Sequence, residues 1–236
     1  MNPMQANTPE RYRQQAMVPE IGDRGQQRIG AGRVLVVGAG GLGCAALPYL
    51  AGAGVGRITL IDDDRVEHGN LHRQVLFGEA SIDRPKAEVA VERLVELNPD
   101  IEIVARVERL RAGNVESLLN AHDVVVDGSD NYPTKYLLAD AGVRCARPLV
   151  YGSVTGMDAL VSVFDATRGP CLRCLFPQPP RGWVPNCAEA GVLGPLVGVA
   201  GAMQAGEAIK LLLGGLSRDV APIIGRLWAM DARTGQ

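Results

Sequence analysis

The sequence predicts an α/β protein with a doubly wound, mainly parallel sheet, a mixed C-terminal half and helices at its N-terminus. Three observations predict it. Short apolar runs alternate with helical stretches through the first half of the chain, as in successive strand–helix units. Aromatic residues make up only 4%, whereas Gly, Ala, Val and Leu dominate, the usage of a buried parallel sheet covered by helices. A glycine-rich turn, Gly38-Ala39-Gly40-Gly41-Leu42-Gly43, joins the first strand to the next helix, the Rossmann-like arrangement.

The elements follow in order. Residues 1–9 are polar and expected to be poorly ordered. Residues 10–28 are rich in Gln and Arg and predict one or two helices broken at Pro19 and Gly22. Residues 33–37 and 57–61 read as strands. The helix between them, 42–53, contains Pro48, and a kink is expected there. Pro85 suits the first turn of a helix that Asn98-Pro99 ends. Strands are expected at 101–107, 123–127, 149–151, 159–164 and 226–230, and helices at 115–119, 132–147 and 194–213. Residues 176–190 are expected to form a mobile crossover loop within one unit spanning 1–236.

With 24 basic against 26 acidic residues the net charge is −2, which gives no reason to expect nucleic acid or an anionic membrane as partner. No signal peptide is recognised, no apolar run is read as approaching the roughly 20 residues of a bilayer span, and the expected compartment is cytoplasm. Five cysteines, an odd number, argue against a disulfide scaffold and for metal or thiol chemistry. Cys44 and Cys145 fall on helices and read as small core residues.

A strand, a glycine turn and a helix set backbone N–H groups and the positive end of a helix dipole around an anion. Asp62 stands at the end of the second strand, about twenty residues after the glycines, where a ribose-binding acid belongs. To this point an NAD-dependent oxidoreductase fits equally well. Asp64, Asn70, Arg73, Gln74, Lys86, Asp130 and Asn131 then follow at successive strand ends. Hydride transfer has no need of these charges. Nucleoside triphosphate chemistry does: cations offset the charge of the β- and γ-phosphates, and a carboxylate holds Mg²⁺.

The glycine turn, Asn70-Leu71-His72-Arg73-Gln74, Lys86, Asp127-Gly128-Ser129-Asp130-Asn131, Pro170-Cys171-Leu172-Arg173-Cys174 and the stretch from Asn186 to Val192 together resemble the MoeB/ThiF family, bacterial relatives of the ubiquitin-activating enzymes. The resemblance implies adenylation of the C-terminal glycine carboxylate of a ubiquitin-like sulfur-carrier protein ending in Gly-Gly, with ATP and Mg²⁺, by a homodimer. It implies that Gly38, Gly40, Gly41 and Gly43 bring the backbone close to the phosphates and that Asp62 takes the ribose. Asn70, Arg73 and Lys86 would contact the triphosphate, and Asp130 would position Mg²⁺. Cys171 and Cys174 would be half of a four-ligand zinc (Zn²⁺) site whose second pair lies nearer the C-terminus in the family; no such pair stands before Gln236. Cys187 would handle the activated carrier. An N-terminal arginine that reaches the partner subunit's ATP is replaced by Gln14, which leaves Arg13 as the candidate. A binding module without catalysis, and a relative activating a tRNA or peptide carboxylate, are the remaining readings.

Overall fold

The computed structural model describes residues 9–180, 191–216 and 219–236. Seven strands form one sheet in the order β3-β2-β1-β4-β5-β6-β7. Strands β1 (Arg33–Val37), β2 (Arg57–Ile61), β3 (Glu102–Arg106), β4 (Val124–Asp127) and β5 (Leu149–Thr155) run parallel. Strands β6 (Asp158–Phe164) and β7 (Leu227–Asp231) add antiparallel to β5. The valines and leucines of β1 and β4 are buried on both faces, which is why these strands read as continuous apolar runs.

The helices are α1 (Arg13–Ala16), α2 (Gly22–Ala31), α3 (Gly41–Gly52), α4 (Lys86–Leu97), α5 (Val115–Asn120), α6 (Tyr132–Arg144), α7 (Leu172–Leu175) and α8 (Gly194–Leu213). Helix α3 packs along α8, and both helices touch the sheet, α3 at β1 and β4 and α8 at β4, β5 and β6; Leu47 and Leu50 of α3 are fully buried. Each such side chain contributes about 1.5–3 kcal/mol. Helix α3 continues through Pro48, at the cost of the amide that would have reached Cys44.

Four expectations are corrected. Helix α8 has 20 residues and a mean hydropathy of 1.4, so the sequence does hold a run of bilayer-spanning length; half of it is buried against α3 and the sheet, the setting of a core helix. Helix α6 ends at Arg144, not at 147, because Pro148 bars its predecessor from helical geometry and Ala146 turns out at φ 51°. The break expected at Pro19 and Gly22 is present, between α1 and α2 with Gly22 at φ 56°, but α2 runs on to Ala31, past the expected end at 28. Strand β5 extends past Tyr151 to Thr155, since a two-residue turn at Gly156-Met157 pairs its whole length with β6, from Leu149↔Phe164 to Thr155↔Asp158. Within the expected crossover loop, Phe176 packs into the core and its carbonyl accepts the Tyr136 hydroxyl at 3.0 Å; residues 181–190 lie outside the described residues.

Candidate active site

Register sets the site. Val37 pairs with Ile61 on one side and with Asp127 on the other. Gly38, Asp62 and Gly128, the residues that follow, therefore meet at the carboxyl edge of the sheet. The order β2-β1-β4 makes this the point where the chain switches direction across the sheet, the crevice in which open α/β sheets bind ligands.

The glycine turn is packed too tightly for side chains. Gly38 has φ 93°, and a Cβ there would lie 2.9 Å from Gly128 O; a Cβ on Gly43 would lie 1.9 Å from Gly38 O. The turn delivers the chain into α3, whose first residues have no side-chain cap, and whose first-turn amides have no intrahelical acceptor. Gly40 and Gly41 line the cleft in front of them. The cleft has two adjoining halves of 360 and 240 Å³ that share Gly40, Arg73, Gln74, Asp130 and Asn131. This is the size range of small-molecule sites, roughly 300–1,000 Å³.

The sequence-predicted residues converge here. Asp62 accepts the Ala39 amide at 2.6 Å and the Asp64 amide at 2.7 Å, so it ties the glycine turn to the end of β2. Burial raises its pKa from the ordinary aspartate value, although those amides and Lys86 pull the other way. Asp64 pairs with Lys86, Nζ to Oδ2 at 2.9 Å, and Lys86 is buried at the start of α4. Asn70 is buried and oriented by Glu67, and its Oδ1 accepts Arg73 Nη2 at 2.8 Å; Arg73 also donates to Gly69 O at 3.1 Å. Asn70 thus holds Arg73. Asn131 caps α6 by accepting the Thr134 amide at 2.9 Å.

Two features mark the cleft as built for a ligand. Gln74 is 3% exposed, yet its Oε1 has no hydrogen-bond partner among the described residues. Asp130 is exposed at the lip of the cleft and makes no ion pair among the described residues. Arg73 and Lys86 among the cations of the lining, an acid without an ion pair, an orphaned amide and glycine backbone suit a polyanion with a divalent cation. Asp62, Asp63 and Asp64 also gather their carboxylate oxygens within 4.8 Å of one another.

Other predicted residues lie elsewhere. Arg13 is on α1, 3.8 Å from Glu10, and lines neither half of the cleft. The Cys171 and Cys174 sulfurs are 3.6 Å apart around α7, and no third metal-ligating side chain joins them among the described residues. Burial raises the Cys171 pKa, hydrogen bonds to Cys174 and nearby amides outweigh it, and the net direction is down. Cys44 is buried, which pushes its thiol up to about 12, as suits a core residue; Cys145 is only half-buried. Cys187 lies outside the described residues.

Sequence reasoning missed Lys135. It is 5% exposed on α6, yet it lines the cleft and bonds Asp127, the charge that ends the all-valine strand β4. A fully buried acid demands a partner, and that demand was the available signal.

The ThiF family model matches residues 12–236. The chain is 47% identical over 229 residues to the sulfur carrier protein adenylyltransferase of Thermus thermophilus, covering 94% of this chain and 83% of that protein. It is 47% identical over 232 residues to the adenylyltransferase and sulfurtransferase MOCS3 of Aedes aegypti, covering 98% of this chain and 52% of that protein. The chain thus spans about half the length of the MOCS3 relatives. Among solved structures it resembles E. coli MccB with ATP at a TM-score of 0.82 and 21% identity, covering 99% of this chain and 71% of the other, a likeness of fold. With a family match over almost its whole length and relatives at this identity, the chain belongs to the ThiF family.

Proposed function

We propose that the protein is an adenylyltransferase that activates the C-terminal glycine carboxylate of a ubiquitin-like sulfur-carrier protein at the expense of ATP. The observation that carries this reading is the pairing of a side-chain-free phosphate turn with Arg73 and Lys86 in one cleft at the switch point. A redox dinucleotide needs no such cations beside its reacting end. The 47% identity to a sulfur carrier protein adenylyltransferase supports the choice of acyl substrate.

In the reaction a carboxylate oxygen of the carrier attacks the α-phosphorus of ATP. The bond to the bridging oxygen breaks, and pyrophosphate leaves. The attacking carboxylate is ionised at neutral pH, so no strong general base is required. The difficulty is that two anions must meet. Arg73, held by Asn70, and Lys86, held by Asp64, reduce that repulsion and take up charge on the leaving group. The first-turn amides of α3 face the phosphates. Asp62 offers its carboxylate to the ribose. Asp130 is the residue to hold Mg²⁺, which would neutralise phosphate charge when bound.

Zinc at Cys171 and Cys174, a homodimer, and a cytoplasmic setting belong to the same proposal. Two sulfurs on one tetrahedral zinc at ~2.3 Å would lie ~3.8 Å apart, close to the 3.6 Å seen here. In a homodimer Arg13 would reach the neighbouring copy's nucleotide.

The test is ATP–pyrophosphate exchange with a panel of carriers ending in Gly-Gly. Exchange that depends on a carrier and on its terminal carboxylate is expected. Tight NAD binding, with no Mg·ATP binding and no exchange, overturns the proposal. Sedimentation is expected to show a dimer, and a stable monomer near 25 kDa at micromolar concentration would remove that part.

A further inference from the structure

Lys135 carries a charge that the adenylation reading leaves unused. Its side chain is 6% exposed, and that of Asp127 is fully buried. Nζ donates to Asp127 Oδ2 at 3.0 Å and to Gly152 O at 2.7 Å, and it stands 4.9 Å from the centre of the Tyr151 ring. A buried ion pair is a poor way to stabilise a fold, because desolvation of two charges offsets most of their attraction. It does define geometry, provided every remaining polar atom is satisfied.

The other carboxylate oxygen of Asp127 is satisfied by the lip of the cleft, and its main-chain oxygen by α8. Oδ1 accepts both the amide and the hydroxyl of Ser129, at 3.0 and 2.5 Å. The main-chain oxygen accepts Gln204 Nε2 at 2.8 Å. The lip, residues 128–131, is anchored at its start by Gly128 N to Val37 O at 2.8 Å and at its end by the Asn131 cap on α6. Between these anchors the Asp127 carboxylate is what holds Ser129, and Asp130 follows with no bond of its own among the described residues. One carboxylate oxygen faces Lys135 and the other faces Ser129, so turning the first turns the second.

We propose that Lys135 is a positioning residue: acting through Asp127 and Ser129, it sets the lip that aims Asp130 into the cleft. This rests on the reading that the cleft binds Mg·ATP, and it adds to that reading a residue which need not touch the nucleotide.

The test uses the full chain with Lys135→Met, Lys135→Arg and Ser129→Ala. Amide hydrogen exchange without nucleotide reads the lip directly. Loss of a charge-assisted bond is expected to speed exchange of the Ser129 amide, the lip amide bonded to Asp127, by about tenfold in Lys135→Met, with β1 and α3 unchanged. Lys135→Arg, which keeps the charge, restores most of the protection. Affinity for a non-hydrolysable ATP analogue with Mg²⁺ is expected to fall in Lys135→Met, and adding Asp130→Asn should cause no further loss beyond Asp130→Asn alone. Unchanged exchange of the Ser129 amide, or losses in the double variant that simply add, overturns the proposal. If Lys135→Met does not fold, Ser129→Ala gives the same readout from the other end of the relay, and unchanged exchange there is equally fatal. Should the wild-type chain fail to bind Mg·ATP, the functional reading falls, while the exchange comparison still decides whether Lys135 positions the lip.

Discussion

Lys86 Nζ lies 2.9 Å from Asp64 Oδ2, yet the lysine side chain is 6% exposed and the aspartate 68%. A buried cation is held by an exposed acid on a short loop, so the partner can give way when a polyanion arrives. The Lys86 amide also donates to Asp64 O at 2.9 Å, which keeps that loop in place. Lys86→Ala should remove a cation from the leaving group at a cost of roughly 2.7–4 kcal/mol, about a hundredfold or more in rate. Asp64→Asn should cost much less. Carrier-dependent pyrophosphate exchange at wild-type speed in Lys86→Ala would sink the assignment, provided circular dichroism shows both variants folded.

Asp130→Asn keeps the size of the side chain and removes its charge. Since Asp130 makes no ion pair among the described residues, little stability should be lost. The Mg²⁺ concentration for half-maximal ATP turnover should rise. Coincident Mg²⁺ titration curves for variant and wild type would make Asp130 a bystander.

His122 is 3% exposed, with Nδ1 2.7 Å from Leu118 O and Nε2 2.8 Å from Thr59 Oγ1. Burial lowers its pKa from 6.5. A lowered folded-state value means that the unfolded chain takes up the proton first. The contribution to stability is complete above about 6.5 and is lost as pH falls through the folded-state pKa. The melting temperature should therefore drop on acidification below that point. A His122→Gln variant should show a shallower dependence there, and equal slopes for the two proteins would refute the account.

Gly152 lies on β5 against α8, and a Cβ there would sit 2.6 Å from Gln204 Nε2. Gln204 cannot move freely, because it donates to Asp127 O and to Val150 O. Gly152→Ala should overpack this contact and destabilise by about 1–3 kcal/mol. Denaturant unfolding measures it, and a midpoint equal to wild type would show that the helix can shift aside.

Cys187→Ser tests whether activation and later transfer are separate steps. Pyrophosphate exchange should persist, while carrier–enzyme adducts seen by mass spectrometry should vanish. Loss of exchange as complete as in Lys86→Ala would move Cys187 to the ATP step or to folding.

What the sequence determined by itself is what depends on neighbours in the chain. The bounds of β1 and β2, and α8 from Gly194 to Leu213, follow from apolar runs and from Gly and Pro beside them. The glycine turn, Asp62, Arg73, Lys86 and Asp130, which the fold gathers at one cleft, were legible as a candidate nucleotide site from their types and their order after successive strands. Tertiary structure decided the rest. The extent of β5 came from pairing with β6, since Gly152 and Ser153 carry little strand preference of their own. Asn70 as the holder of Arg73, and Asp62 as a brace for Ala39, appeared only once loops met at the sheet edge. The bond from Gln204 to Asp127 joins residues 77 apart. Local propensity acts over a few residues, whereas a buried polar atom takes whatever partner the strand register and helix packing bring within about 3 Å.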